Sequence, residues 1–247
     1  MSLVIDELEH IDHAFARNRL LATFPRDARA VLEPDVDLVE LEAGELVFSR
    51  GADVGQSLFP SGQTMVSMIV DLAGGRSIEV ASIGQEGAIG GIVSCGHAPA
   101  FTRAVTLVGG PALRVPMRAL EQAKHRSEFI ANLFCRYSDY LLAQVMQSLA
   151  CNAFHSVQER ACRWLLTAQD RAGDRIDLTQ EAFAGLLGVQ RTTVNAVVQL
   201  LQDENLITKR RGTLRIVDRA GLKRRSCECY DVLERHFAGV IGAGGGG

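Results

Sequence analysis

The chain has 247 residues, 47% of them apolar and 22% charged, with 26 basic and 29 acidic side chains. That length holds one large domain or two small ones with ample core, and so near a charge balance does not by itself announce a nucleic-acid binder. No apolar run is long enough to span a bilayer, the acidic opening MSLVIDELEH lacks the form of a signal peptide, and the six cysteines contain no CxxC pair, so the sequence predicts a reduced cytoplasmic protein with free thiols.

Residues 6–34 mix charge with apolar positions at helical spacing (Ile11, Phe15, Leu20, Leu21) and break at Pro25 and Pro34, which predicts one or two short helices covering an edge. From Val36 to Pro116 the texture is of short alternating runs, such as Asp37–Leu41, Met65–Val70 and Ser77–Val80, parted by glycine-containing turns. Many short strands at regular spacing imply a β-sandwich or jelly roll. Met117 onward reads as helical: Phe129, Leu133, Tyr137, Tyr140, Leu141, Val145 and Leu149 recur every three or four residues. Such a long apolar stripe either pairs with a second helix or lies across its own β-domain, and it can do both. Asn152 to His155 interrupts the pattern as a hinge, after which Ser156 and Glu159 have capping-box spacing for a helix through Trp164 to Asp170.

The most informative stretch is Leu178 to Ile207, LTQEAFAGLLGVQRTTVNAVVQLLQDENLI. Thr179 can cap a short helix with Gln180 and Glu181 in its first turn and Phe183, Leu186 and Leu187 on its buried side. Gly188 supplies a tight turn, and Val189 can plug the angle between two helices. The second helix buries Val194, Val197, Val198 and Leu201 and presents Gln190, Arg191, Thr192, Asn195 and Gln199. Arg can grip guanine with two bonds, and Asn or Gln can do so for adenine, so this is the pattern of a helix-turn-helix with its second helix in a major groove. Lys209 to Ile216 then reads as a basic hairpin with Gly212 at its tip, placed to run along phosphates. Candidate DNA contacts are Thr179, Gln180, Gln190, Arg191, Thr192, Thr193 and Asn195 on the helices, and Lys209, Arg210, Arg211 and Arg215 on the hairpin. Charge follows the same division: residues 1–152 hold 12 basic and 18 acidic residues, whereas 153–247 hold 14 and 11. Gly221 to Phe237 reads as a closing helix with Lys223, Arg224 and Arg225, and the glycine-rich end as a disordered tail or an expression remnant.

Residues 178–207 resemble the winged helix of the Crp–Fnr bacterial transcription regulators, with LTQE, LLGV, RTTV and the closing LI in register. The CECY segment at Cys227–Tyr230, with His155-Ser156-Val157 and Arg163 to Leu166, resembles a subgroup of that family. The resemblance implies an α+β chain: a cyclic-nucleotide-binding-like β-roll over 1–116, a dimerisation helix over 117–152, a winged helix over 153–237 and a tail over 238–247. It also implies a homodimer joined through Leu133, Tyr137, Tyr140, Leu141 and Val145, an inverted-repeat operator, and RNA polymerase as a contact. Family members that read DNA with an Arg, a Glu and a second Arg are matched only at Arg191, because Thr192 and Ala196 stand at the other two positions. An operator sequence therefore does not carry over.

The family's ribose-binding Glu falls on Gly91, and its phosphate-binding Arg-Ser pair falls on Ala98-Pro99 or Phe101-Thr102, with Arg103 one place off. A buried phosphate without its cation binds poorly. A cyclic-nucleotide-responsive regulator with a divergent pocket remains an alternative, as does a haem or redox sensor using Cys95 and His97. Iron–sulfur members carry clustered N-terminal cysteines, and the first here is Cys95. Cys227 and Cys229 are two thiols, too few for a four-ligand metal site, so no metal or other cofactor is expected. There is no GxSxG, Walker loop or HExxH, and a cupin-type enzyme would need more histidines than His97 in the β-domain. The reading is a DNA-binding regulator and not an enzyme.

Overall fold

The structure is a computed structural model that describes residues 2–91 and 99–242, the side chains of 2–8 excepted. Helices α1 (Ser2–Arg17) and α2 (Arg26–Leu32) lead into seven strands: β1 (Asp37–Leu41), β2 (Leu46–Phe48), β3 (Gln56–Pro60), β4 (Met65–Asp71), β5 (Ser77–Ile83), β6 (Arg103–Val108) and β7 (Gly110–Pro116). They form two antiparallel sheets, ordered β1-β7-β3 and β2-β6-β4-β5. Leu41, Leu58, Val66, Ile83, Ala104 and Ala112 from the two sheets meet in one apolar core, as alternating strands of a β-roll require.

Helix α3 (Met117–Arg126) and helix α4 (Glu128–Phe154) follow. The expected continuous helix is broken at Ser127, whose backbone is extended and whose hydroxyl caps α4 at the Ile130 amide. At the far end the hinge is shorter than expected. Asn152, Ala153 and Phe154 stay helical, and the chain turns only at His155 and Ser156.

The largest correction concerns the face α4 presents. Leu133, Tyr137 and Tyr140 are buried within this chain, among Phe15 of α1, Phe59 of β3, Leu120 of α3 and Phe237 near the C-terminus, and Leu141 is half-buried beside them. Phe59 meets Phe134 edge-on at 6.1 Å, and Tyr140 meets Phe237 at 4.9 Å. The part of the stripe at Leu133, Tyr137 and Tyr140 thus packs against this chain's own β-roll. Val145 and Leu149 of the same stripe face outward with Leu142 and Met146, all exposed.

The C-terminal part comprises α5 (Val157–Ala172), β8 (Arg175–Asp177), α6 (Gln180–Leu187), α7 (Arg191–Asp203), β9 (Ile207–Arg210), β10 (Thr213–Ile216), α8 (Arg219–Arg225) and α9 (Cys229–Ile241). Ser156 and Glu159 make the expected capping box. The closing helix is two helices, because Ser226 is extended and ends α8. No helix among the described residues is long and apolar enough to cross a membrane.

The two halves share a contact. Met65 and Ile69 of β4 join the apolar core of the C-terminal part, and Trp164 Nε1 donates to Glu79 Oε1 at 2.8 Å. Arg171 of α5 pairs with Glu86 and donates to the Ser82 hydroxyl. Its stem lies against Gly84, where a Cβ would sit 2.5 Å from Arg171 Cγ, so only glycine permits the approach.

Candidate nucleic-acid interface

Thr179 caps α6 by accepting from the Ala182 amide, and Phe183, Leu186 and Leu187 bury its inner side. Gly188 is left-handed (φ 65°, ψ 34°), which closes α6 and turns the chain in two residues. Val189 packs on the core at the turn, and Gln190 is the residue before α7. The Arg160 guanidinium donates to the Leu187 carbonyl, a C-terminal acceptor of α6 that would otherwise lack a partner.

Helix α7 buries Val194, Val197, Val198 and Leu201, as its spacing predicts. Gln190, Arg191, Thr192 and Gln199 are exposed, and Thr193 and Asn195 are half-buried. Asn195 differs from the rest in having its Oδ1 buried without a hydrogen-bond partner. Arg191, in the first turn of α7, lies 3.7 Å from Glu181 of α6, and both side chains are largely exposed. An open pair of that kind holds an arginine in place by about 0–1 kcal/mol at most, little enough for a better acceptor to displace.

Strands β9 and β10 form the wing, with Thr213 opposite Arg210, Leu214 opposite Lys209 and Arg215 opposite Thr208. The two-residue loop Arg211-Gly212 has positive φ at both positions (34° and 83°), the twist that suits a tight hairpin. Ile207, Leu214 and Ile216 face inward, so Lys209, Arg210, Arg211 and Arg215 face out. Strand β8 pairs with β10, and Asp177 accepts from the Thr213 hydroxyl at 2.6 Å, which braces the wing against the body.

Among the described residues, the four wing cations make no ion pair. The basic residues of α8 are committed elsewhere: Lys223 to Asp231 at 2.8 Å, Arg224 near Asp218 at 3.8 Å and Arg225 to Glu204, which follows α7. The pairing sets the α8 cations apart from those of the wing.

In the β-roll, Gly91 is left-handed (φ 62°), and a Cβ there would lie 1.8 Å from Met117 Cε. Residues 84–91 form a turn without helix. Tyr137 reaches into that turn, accepting from the Ala88 amide at 2.9 Å and donating to its carbonyl at 3.2 Å. Burial pushes the Tyr137 phenol well above its ordinary range, with the charge on Glu86 adding to the effect, so it stays protonated and keeps donating. Arg103 is engaged by Asp71 at 2.8 Å. Cys95, His97 and Ala98 lie outside the described residues.

A wing built on a helix-turn-helix is common to many regulators, and sequence comparison narrows it. Residues 159–225 match the family model of the Crp-like helix-turn-helix domain. The Crp-like domain begins in the first turn of α5 and ends with α8, so it holds the recognition-type helix and the wing. No curated protein matches the chain in sequence. Similar solved structures include FixK2 from Bradyrhizobium japonicum, at 14% identity and a TM-score of 0.65 over 78% of this chain and 98% of that one. A putative Crp/Fnr-family regulator from Eubacterium rectale matches at 17% identity and 0.63, over 87% and 97%. TTHB099, a CRP-family regulator from Thermus thermophilus, matches at 20% and 0.61, over 76% and 96%. At these identities the likeness is one of fold: antiparallel β-sheets, a long helix, then the Crp-like domain.

Proposed function

We propose that the chain is a sequence-specific DNA-binding transcription regulator of the Crp–Fnr type, working as a homodimer in the cytoplasm on an inverted-repeat operator. The observation that carries this reading is the juxtaposition, on one Crp-like domain, of an exposed polar helix face at Gln190, Arg191 and Thr192 with a wing whose four cations have no acidic partner among the described residues. Arginine in the first turn of α7 suits a guanine edge, and unpaired wing cations suit phosphates. Thr179 and Gln180 at the α6 N-terminus, with Thr193 and Asn195 on α7, complete the proposed contact set.

Dimerisation is assigned to the outward face of α4, at Val145 from the expected set together with Leu142, Met146 and Leu149, because Leu133, Tyr137 and Tyr140 are buried within the chain. A parallel pair of α4 helices would set two recognition helices in successive major grooves, roughly 34 Å apart. RNA polymerase is the further partner that a promoter-bound regulator of this type would meet. The test is selection of binding sites from fragmented genomic DNA, followed by footprinting. Two protected half-sites related by inversion, about one duplex turn apart, support the reading. Binding that shows no enriched sequence, or a single unpaired half-site, contradicts it.

A further inference from the structure

Four groups suited to hold a soft metal ion come together at the hinge of the Crp-like domain. Cys151 lies in the last turn of α4, and His155 follows it by four residues at the helix end. Cys227 lies in the break between α8 and α9, and Cys229 opens α9. One ligand atom from each of Cys151, His155, Cys227 and Cys229 lies within 4.8 Å of all the others. Cys151 Sγ and Cys227 Sγ are 3.5 Å apart, and Cys229 Sγ is 3.5 Å from His155 Nδ1. A tetrahedral zinc ion with Zn–S near 2.3 Å and Zn–N near 2.0 Å separates its ligand atoms by roughly 3.5–3.8 Å, so a modest inward shift closes these four around one ion.

The surroundings are those of a metal site more than of a packed apolar corner. Among the described residues, the three cysteines form a buried cluster of their own. His155 turns Nδ1 to the sulfurs, and its other nitrogen, Nε2, faces Glu228 Oε2 at 3.3 Å, the carboxylate–histidine arrangement that fixes the ring of a metal ligand. Gln147 Nε2 donates to Cys229 Sγ at 3.0 Å, as an outer donor to a thiolate does.

The geometry points to a structural zinc site of three cysteines and one histidine, with Cys151, His155, Cys227 and Cys229 as a closed tetrahedral set. Two ligands precede and two follow residues 159–225, so the ion would clasp the chain where it enters and where it leaves the Crp-like domain. That clasp would fix the turn at His155 and with it the setting of α7 relative to α4.

The test is metal analysis of the full chain, purified in reducing buffer without added chelator, and titration of the metal-free chain with cobalt(II). One equivalent of zinc per chain is expected, with tetrahedral cobalt absorption and strong thiolate-to-cobalt charge transfer. His155→Ala and Cys229→Ser should each lose the bound equivalent, while Cys135→Ser, an exposed thiol elsewhere on α4, should keep it. The wild-type measurement stands whether or not a variant folds. A chain that carries no stoichiometric zinc and gives no thiolate–cobalt band overturns the site, as does one that carries iron instead or is isolated with Cys151 and Cys227 joined in a disulfide.

Discussion

Arg171 of α5 and Glu86 of the turn after β5 meet at 2.6 Å, each side chain only 7% exposed. Glu86 also accepts from the Gly84 amide, and Arg171 also donates to Ser82, so both buried charges are multiply held. Removing one partner strands the other in low dielectric, which costs about 3–5 kcal/mol, whereas replacing both with apolar groups costs far less. Arg171→Met should therefore lower the urea midpoint sharply, and the Arg171→Met, Glu86→Leu double variant should recover much of the loss. Equal loss in single and double variants would show that the pair itself is the stabilising element.

Glu79 gives a pH signature to the same contact. Burial raises its carboxyl above the ordinary 4.5, and the hydrogen bonds from Ser67 and Trp164 and the charges of Arg171 and Arg163 only partly offset this. The folded chain thus holds the proton more tightly than the unfolded one, so folding gains stability as pH falls through the raised value toward 4.5, and the gain is complete below it. At neutral pH the full cost of the buried anion is present. Compared with Glu79→Gln, the wild type should gain relative stability on acidification from neutral. Relative loss over that range would mean that the ion pairs dominate over burial.

Cyclic AMP should not bind. Gly91 offers the ribose no acceptor, Met117 fills the space beside it, and Arg103 is held by Asp71. Titration calorimetry should record no heat at physiological nucleotide concentrations. A micromolar dissociation constant would mean that Arg103 leaves Asp71 to take the phosphate.

The helix-turn-helix was legible because its signals are local. The cap at Thr179, the left-handed Gly188 and the apolar spacing of α7 each lie within a few residues of what they determine. The β-roll was legible as a class for the same reason. What sequence could not supply was partnership at a distance. The α4 stripe has one periodicity whether it faces a second copy or its own sheet, and only the packing shows that Tyr137 and Tyr140 face this chain's own core. Arg171 and Glu86 are 85 residues apart, and β8 has three residues, too few to show alternation. The cysteines show the same limit: Cys227 and Cys229 are two thiols in sequence, and Cys151 and His155, which the fold brings beside them, lie more than 70 residues upstream.

If α4 joins two copies through its outward face, Leu142→Glu and Met146→Glu should each give monomers at micromolar concentration with the fold intact, since both side chains are exposed in the single chain. Light scattering and circular dichroism read the two quantities. A folded dimer in both variants would remove α4 as the interface.

If α7 reads sequence and the wing grips phosphate, titration of variants against operator and scrambled duplexes over a range of salt separates the two roles. Arg191→Ala should cost on the order of 1–3 kcal/mol per half-site on the operator and much less on scrambled DNA. Arg210→Ala or Arg211→Ala should weaken both duplexes about equally and lower the salt dependence by about one phosphate contact per half-site. If Arg191→Ala instead weakens both duplexes alike, Arg191 is a phosphate anchor and α7 does not read sequence through it.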